Sequence, residues 1–202
     1  MMTILFALLL LPAVGWGEIE KEAITTDSGF QLYWWPKLPP IGGWESDRDA
    51  SLHYAVNALV PKGKSFAEAE TVMYAKAIYK PGIPEAESVD DLIKSDIEHF
   101  KEEDPSITVT QLADVTDGDN KKLKIYEFVP AGDGNWEAVA YGSEGDFYLI
   151  FTVSSQNASG YKSAFPQFAE LLGKYKEKLT SGDDDTAPGK LDSVPESEED
   201  GD

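Results

Sequence analysis

Between Ile107 and Ser154 the chain passes through four short segments of β-forming residues, Ile107–Val115, Leu123–Val129, Trp136–Tyr141 and Phe147–Ser154, each divided from the next by turn residues. Asp117-Gly118-Asp119-Asn120, Gly132-Asp133-Gly134-Asn135 and Glu144-Gly145 are too short to hold a crossover helix and suit hairpin reversals, so the spacing predicts an antiparallel meander. From Phe147 to Val153 the last segment is apolar almost throughout, the pattern of a strand covered on both faces. It is therefore expected to lie at the centre of the sheet.

Two helices are expected to provide the cover. Ser88-Val89-Asp90-Asp91 reads as a capping box, with the two aspartates placed where the helix dipole favours negative charge. Val89, Leu92, Ile93, Ile97 and Phe100 then form one apolar stripe that runs to about Glu103, and Asp104-Pro105 stops the helix. A second stripe takes Tyr161, Phe165, Phe168, Leu172 and Tyr175, with Leu171 beside them and Lys174, Lys176 and Lys178 at the end the dipole prefers. Pro166 must sit near the first turn of that helix or kink it, because it has no N–H to donate. Upstream, Leu52–Val60 and Thr71–Tyr79 are read as strands on either side of Pro61-Lys62-Gly63-Lys64. In the second, Val72, Tyr74 and Ile78 share one face and Met73, Ala75, Ala77 and Tyr79 the other. This order of elements implies an α+β fold, a mostly antiparallel sheet covered by two amphipathic helices.

The two ends read differently. Ile4 to Leu11 is an unbroken apolar run followed by Pro12 and the small residues Ala13, Gly15 and Gly17. That is too short to span a bilayer and fits an export signal over residues 1–17, cleaved after Gly15 or Gly17. The expected location is periplasmic or extracellular, with no integral membrane segment left after cleavage. Residues 181–202 hold nine acidic residues, one lysine and few apolar groups, so they read as a disordered acidic tail behind a single domain of residues 18–180. The chain has no cysteine, which removes disulfides, thiolate metal sites and cysteine nucleophiles from consideration. Thirty-seven acidic against 17 basic residues give a net charge of -20, a surface that repels phosphate backbones, so nucleic acid is not an expected partner.

The aromatic, proline-rich stretch Gly29–Trp44 is extended, and Tyr33, Trp34, Trp35 and Trp44 either plug one end of the core or form a surface that grips a partner. Trp34, Trp35 and Trp44 are thus the candidates for contact with a protein or peptide partner. His53, near Ser51, Asp47 and Asp49, allows a Ser/His/Asp arrangement to be imagined, but no nucleophile-elbow sequence accompanies it. His99 lacks a second histidine one helical turn away, so a zinc pair is not expected. Asp114, Asp117, Asp119 and Asn120 lack the ligand order of a calcium loop and suit a polar turn. Asn157-Ala158-Ser159 matches a glycosylation acceptor, and Asn157 or Ser159 equally suits a helix cap. No catalytic, cofactor or metal residues are assigned.

Several phrases of the chain, Gly43-Trp44, NALVPKG from Asn57, SFAEAETVMYAKAIYK from Ser65, EGDFYLIFTVSS from Glu144 and FPQFAELL from Phe165, resemble exported bacterial members of the PsbP-like, or Mog/PsbP, family. The resemblance covers about Leu32 to Leu179 and implies an α/β/α sandwich. It also implies a non-catalytic accessory or binding role, since that fold hosts extrinsic photosystem subunits and a Ran-binding protein; it carries over no functional residues. Two other readings stand beside it: a small extracytoplasmic hydrolase using His53, and a structural envelope protein with a solubilising acidic tail.

Overall fold

The computed structural model describes residues 19–26 and 29–176, and of residues 20–32 the backbone alone. The expected export segment 1–17 and tail 181–202 lie outside the described residues. A hairpin of β1 (Ile19–Thr26) and β2 (Gly29–Pro36) forms a small sheet of its own. The main sheet contains β3 (Trp44–Ser46), β4 (Asn57–Pro61), β5 (Thr71–Tyr79), β6 (Thr108–Gln111), β7 (Val115–Thr116), β8 (Lys122–Val129), β9 (Trp136–Glu144) and β10 (Phe147–Ser155). Its order is β3-β4-β5-β10-β9-β8-β6, with β7 also paired to β8, and every pairing is antiparallel. As expected, β10 is central: β5 and β9 flank it along its whole length, and every residue after Phe147 is buried.

Three helices accompany the sheet, α1 (Arg48–Tyr54), α2 (Val89–Glu103) and α3 (Ala158–Lys174). Strand periodicity sends alternate residues to opposite faces. One face gathers Met73, Ala75, Leu123, Ile125, Ala138, Ala140, Leu149, Phe151 and Val153 against Tyr161, Phe168, Leu171 and Leu172 of α3. The other gathers Phe128, Val139, Tyr141, Tyr148 and Ile150 against Leu92, Ile93, Ile97 and Phe100 of α2. The result is the three-layer α/β/α arrangement of an α+β fold.

Local chemistry sets the helix ends. Ser88 caps α2, its hydroxyl accepting from the Asp91 N–H at 3.2 Å and donating to the Asp91 carboxylate at 2.7 Å. Asn157 caps α3, its Oδ1 accepting from the Gly160 N–H at 2.9 Å. Pro166 lies inside α3, beyond the first turn, and is exposed.

Two expectations need correction. Leu52–Val60 is not one strand: its first half belongs to α1, where the Asp47 carboxylate caps the helix by accepting from the Ala50 N–H at 2.9 Å. Ala55, in the left-handed region at φ 56°, ends the helix, so the extended chain starts at Asn57. A local cap and terminator override the alternation of apolar residues. Ile107–Val115 is likewise divided. Gln111 opposes Tyr126 and Val115 opposes Leu123, so three residues, Leu112 to Asp114, face two on β8. The extra residue makes a bulge and turns the strand.

Candidate functional site

The tryptophan segment is laid onto the end of the sheet beside α3. β2 packs on β5, and the Asn57 amide donates to the Pro36 carbonyl at 2.9 Å, which fixes where the strand ends. Trp35 is 4% exposed and Trp44 8%, and the Trp44 indole N–H donates to Oε1 of Gln167 on α3 at 3.1 Å. Both rings face inward. Trp34, half-buried, points its ring at Phe147 with 5.1 Å between centroids. Phe147 in turn lies 5.4 Å from Tyr79, its register partner on β5, and Tyr79 is 50% exposed. Beside them the Lys80 ammonium donates to the Gly145 carbonyl at 2.6 Å and sits 5.2 Å from the Tyr148 ring. Three rings from three strands thus form a row with one open end. Such a row offers flat apolar area at low entropy cost, with the Tyr79 hydroxyl as a polar handle.

The residues of the imagined triad are used otherwise. The buried Ser51 hydroxyl donates to the Asp47 carbonyl at 2.6 Å and accepts from the Ala58 N–H at 2.9 Å. The Asp47 carboxylate accepts from the Ala50 and Phe66 N–H groups. His53 is exposed at the end of α1, its ring edge-on to Tyr54 at 4.6 Å. His99 is also exposed and lies 3.4 Å from Glu103, one turn along α2. Among the described residues there is no group of three or more His, Cys, Asp or Glu side chains placed to hold a metal ion.

The acidic turn before β8 opens a second feature. Buried Asp117 directs its Oδ1 to the N–H groups of Asp119 and Lys121, and Asn120 takes φ 63° to complete the reversal. The carboxylate is therefore an internal brace of the turn. Pairing of β8 with β9 starts at Lys124 opposite Tyr141, whereas Lys122 and Leu123 pair with β7. The strands part at that point, leaving a cavity of about 210 Å³ bordered by Lys121, Lys122, Lys124, Ser143, Glu144 and Tyr175. Inside it, the buried Glu144 carboxylate accepts from the Tyr175 hydroxyl at 2.6 Å. At the rim Lys124 pairs with Asp90, and hydrogen bonding to that carboxylate raises the lysine pKa.

A polar seam crosses the α2 face. Ser154 donates to the Glu137 carboxylate at 2.6 Å, and Tyr141 donates to Asp96 of α2 at 2.6 Å. Burial pushes the Glu137 carboxyl above its ordinary range, against the pull of the Ser154 bond, and nearby Asp96 and Glu103 add to the rise. Tyr74 and Tyr141 are pushed well up, in both cases chiefly by burial. Tyr74 and Tyr141 therefore stay protonated, and the seam is held by hydrogen bonding.

Sequence reasoning passed over Tyr79, Phe147 and the lysines beside Asp117. A signal exists for each. Tyr79 and Phe147 are large aromatics at strand ends, next to Lys80-Pro81-Gly82 and Gly145-Asp146. Lys121, Lys122 and Lys124 reverse the local charge of an acidic chain within four residues.

No protein-family model matches the sequence, and no curated protein matches it. Two solved structures are similar in the course of the backbone. The solution structure of cyanobacterial PsbP (CyanoP) from Synechocystis sp. PCC 6803 is 15% identical, with a TM-score of 0.42 over 83% of this chain and 97% of that one. The crystal structure of the Saccharomyces cerevisiae Ran-binding protein Mog1p is 9% identical, with a TM-score of 0.38 over 74% of this chain and 84% of that one.

Proposed function

We propose that this is an exported, non-catalytic accessory protein that works by contact, gripping a protein or peptide partner with the aromatic edge of Trp34, Phe147 and Tyr79. One observation carries the reading: three rings from β2, β5 and β10 align at the surface, and buried Trp35 and Trp44 hold the segment behind them. Rigid aromatics at the centre of a patch are the groups that concentrate binding energy. Export, to a periplasmic or extracellular site, rests on the apolar run before Pro12. The hydrolase reading with His53 has less behind it, because Ser51 and Asp47 spend their side chains on the backbone around α1.

The test is capture from a native envelope extract with wild type and with Tyr79→Ala, a change at an exposed position that leaves the core intact. Loss of about tenfold in the retained partner, and of nothing in thermal stability, is expected. Equal capture by both proteins, or none by wild type, would remove the proposal.

A further inference from the structure

Aspartate is followed by glycine three times in this chain, at Asp117-Gly118, Asp133-Gly134 and Asp200-Gly201. Such a step can close on itself, because glycine has no side chain to shield its nitrogen and the preceding side-chain carbon lies within reach of a five-membered ring. The third step lies outside the described residues. The other two both sit in turns, and the fold treats them differently.

At Asp117-Gly118 the atoms that closure needs are engaged. Asp117 is 6% exposed, and its Oδ1 accepts from the N–H groups of Asp119 at 2.9 Å and Lys121 at 2.8 Å. The Gly118 N–H donates to the Tyr175 carbonyl at 2.8 Å, and the Lys176 stem lies so close that a Cβ on Gly118 would stand 2.7 Å from its Cγ. Ring closure there must break these hydrogen bonds and draw the turn away from the end of α3. At Asp133-Gly134 nothing comparable holds. The loop joining β8 to β9 is exposed from Ala131 to Asn135. Among the described residues no hydrogen bond engages the Asp133 carboxylate or the Gly134 N–H. The loop also requires its glycine: Gly134 takes φ 144°, which side chains rarely adopt, and a Cβ there would stand 3.1 Å from the Pro130 Cβ. The backbone thus keeps in place the one residue type that leaves the nitrogen bare.

We infer that Asp133 is a site of spontaneous covalent modification, isomerising through a succinimide to isoaspartate in the folded protein, while Asp117 is protected by its fold. In the first step the Gly134 nitrogen attacks Cγ of the protonated Asp133 carboxyl. The C–N bond forms, the C–OH bond breaks, and the hydroxyl leaves as water with the proton of the nitrogen. In the second step water adds to one of the two ring carbonyls. Opening at Cγ restores aspartate. Opening at the main-chain carbonyl breaks the original peptide bond and leaves the chain running through Cγ, one carbon longer. Nothing is oxidised or reduced, and the water lost is regained. Pairing of β8 with β9 ends at Phe128 opposite Glu137, so the extra carbon falls in the loop and the sheet keeps its register. The site stands independently of the aromatic edge.

The test holds the full folded chain in H₂¹⁸O at about pH 5, where carboxyl groups are in part protonated, and then digests it with trypsin in ordinary water. Asp133 falls in the peptide 125–162 and Asp117 in 102–121. The isoaspartyl form of 125–162, resolved by chromatography and carrying one ¹⁸O, should accumulate about tenfold or more faster than that of 102–121. In concentrated urea the protection is lost, and the two rates should converge to within about threefold. Asp133→Glu keeps the charge at an exposed position but demands a six-membered ring, and should abolish the signal in 125–162. Equal accumulation in the folded protein, or none in 125–162, overturns the proposal. So does a signal that survives Asp133→Glu, or a bias that persists in urea, which would place the preference in the local sequence and not in the fold.

Discussion

On the α3 side of the sheet, β5, β8, β9 and β10 present a continuous apolar surface, and α3 sinks Tyr161, Ala164, Phe168, Leu171 and Leu172 into it. On the α2 side the same strands carry Tyr74, Glu137, Thr152 and Ser154 beside their apolar residues, and α2 buries just Leu92 and Ile93 fully. The first interface is held mainly by packing, with its buried polar pairs, Thr71–Ser155 and Glu144–Tyr175, kept to the strand ends. The second must satisfy its polar atoms, and does so through the Glu137–Ser154 and Tyr141–Asp96 bonds. A sheet can thus be closed by packing on one face and by a mixture of packing and pairing on the other, and the two faces should respond differently to perturbation.

The largest expected difference is in cavity cost. Phe168, 1% exposed, should lose about 3–5 kcal/mol on Phe168→Ala, while half-buried Ile97 of α2 should lose about 1–2 kcal/mol on Ile97→Ala. Urea unfolding of the pair reads this directly, and equal losses would erase the distinction between the faces.

An intermediate effect tests how tightly α3 is seated. A Cβ on Gly160 would stand 2.5 Å from the Ser155 hydroxyl and Glu70 Oε1 and 2.6 Å from Thr71 Oγ1, where Thr71 and Ser155 share a buried hydrogen bond of 2.8 Å. Gly160→Ala should therefore destabilise by about 1–3 kcal/mol, although alanine is the better helix former. A gain in melting temperature would mean that the first turn of α3 has slack.

The smallest effect sharpens the α2 side and appears as a slope with pH. Because the folded-state pKa of Glu137 is raised, the folded protein holds more protons than the unfolded chain once pH climbs past the ordinary carboxylate value. Stability should then fall as pH rises through the window between the ordinary and the raised pKa, with the whole penalty present above it. Glu137→Gln keeps an acceptor for Ser154 and should flatten that fall. Unfolding free energies measured from about pH 4 to pH 8 check it, and parallel curves for the two proteins would show that Glu137 contributes no such slope.

Legibility from sequence followed the range of the forces involved. Thr71–Tyr79 and Val89–Glu103 were readable to the residue, since alternation, a three-four stripe and the Ser88 cap act within a turn or a strand. The central place of β10 was readable because a strand apolar on both faces has to be covered on both. Leu52–Val60 misled, because the hydrophobic pattern there fits a strand while Asp47 and Ala55 make its first half a helix. The division of Ile107–Val115 was hidden for a different reason: a bulge is a property of two strands in register.

By itself, then, the order of residues determined most of the main strands, the two amphipathic helices, their caps and the acidic character of the chain, all of which follow from near neighbours and composition. Tertiary structure decided which tryptophans turn inward, that Trp34 meets Phe147 and Tyr79, and that β8 leaves β9 at a point ringed by lysines. Each of those outcomes depends on contacts between segments far apart in the chain, and such contacts are set by how the layers pack and not by any local preference.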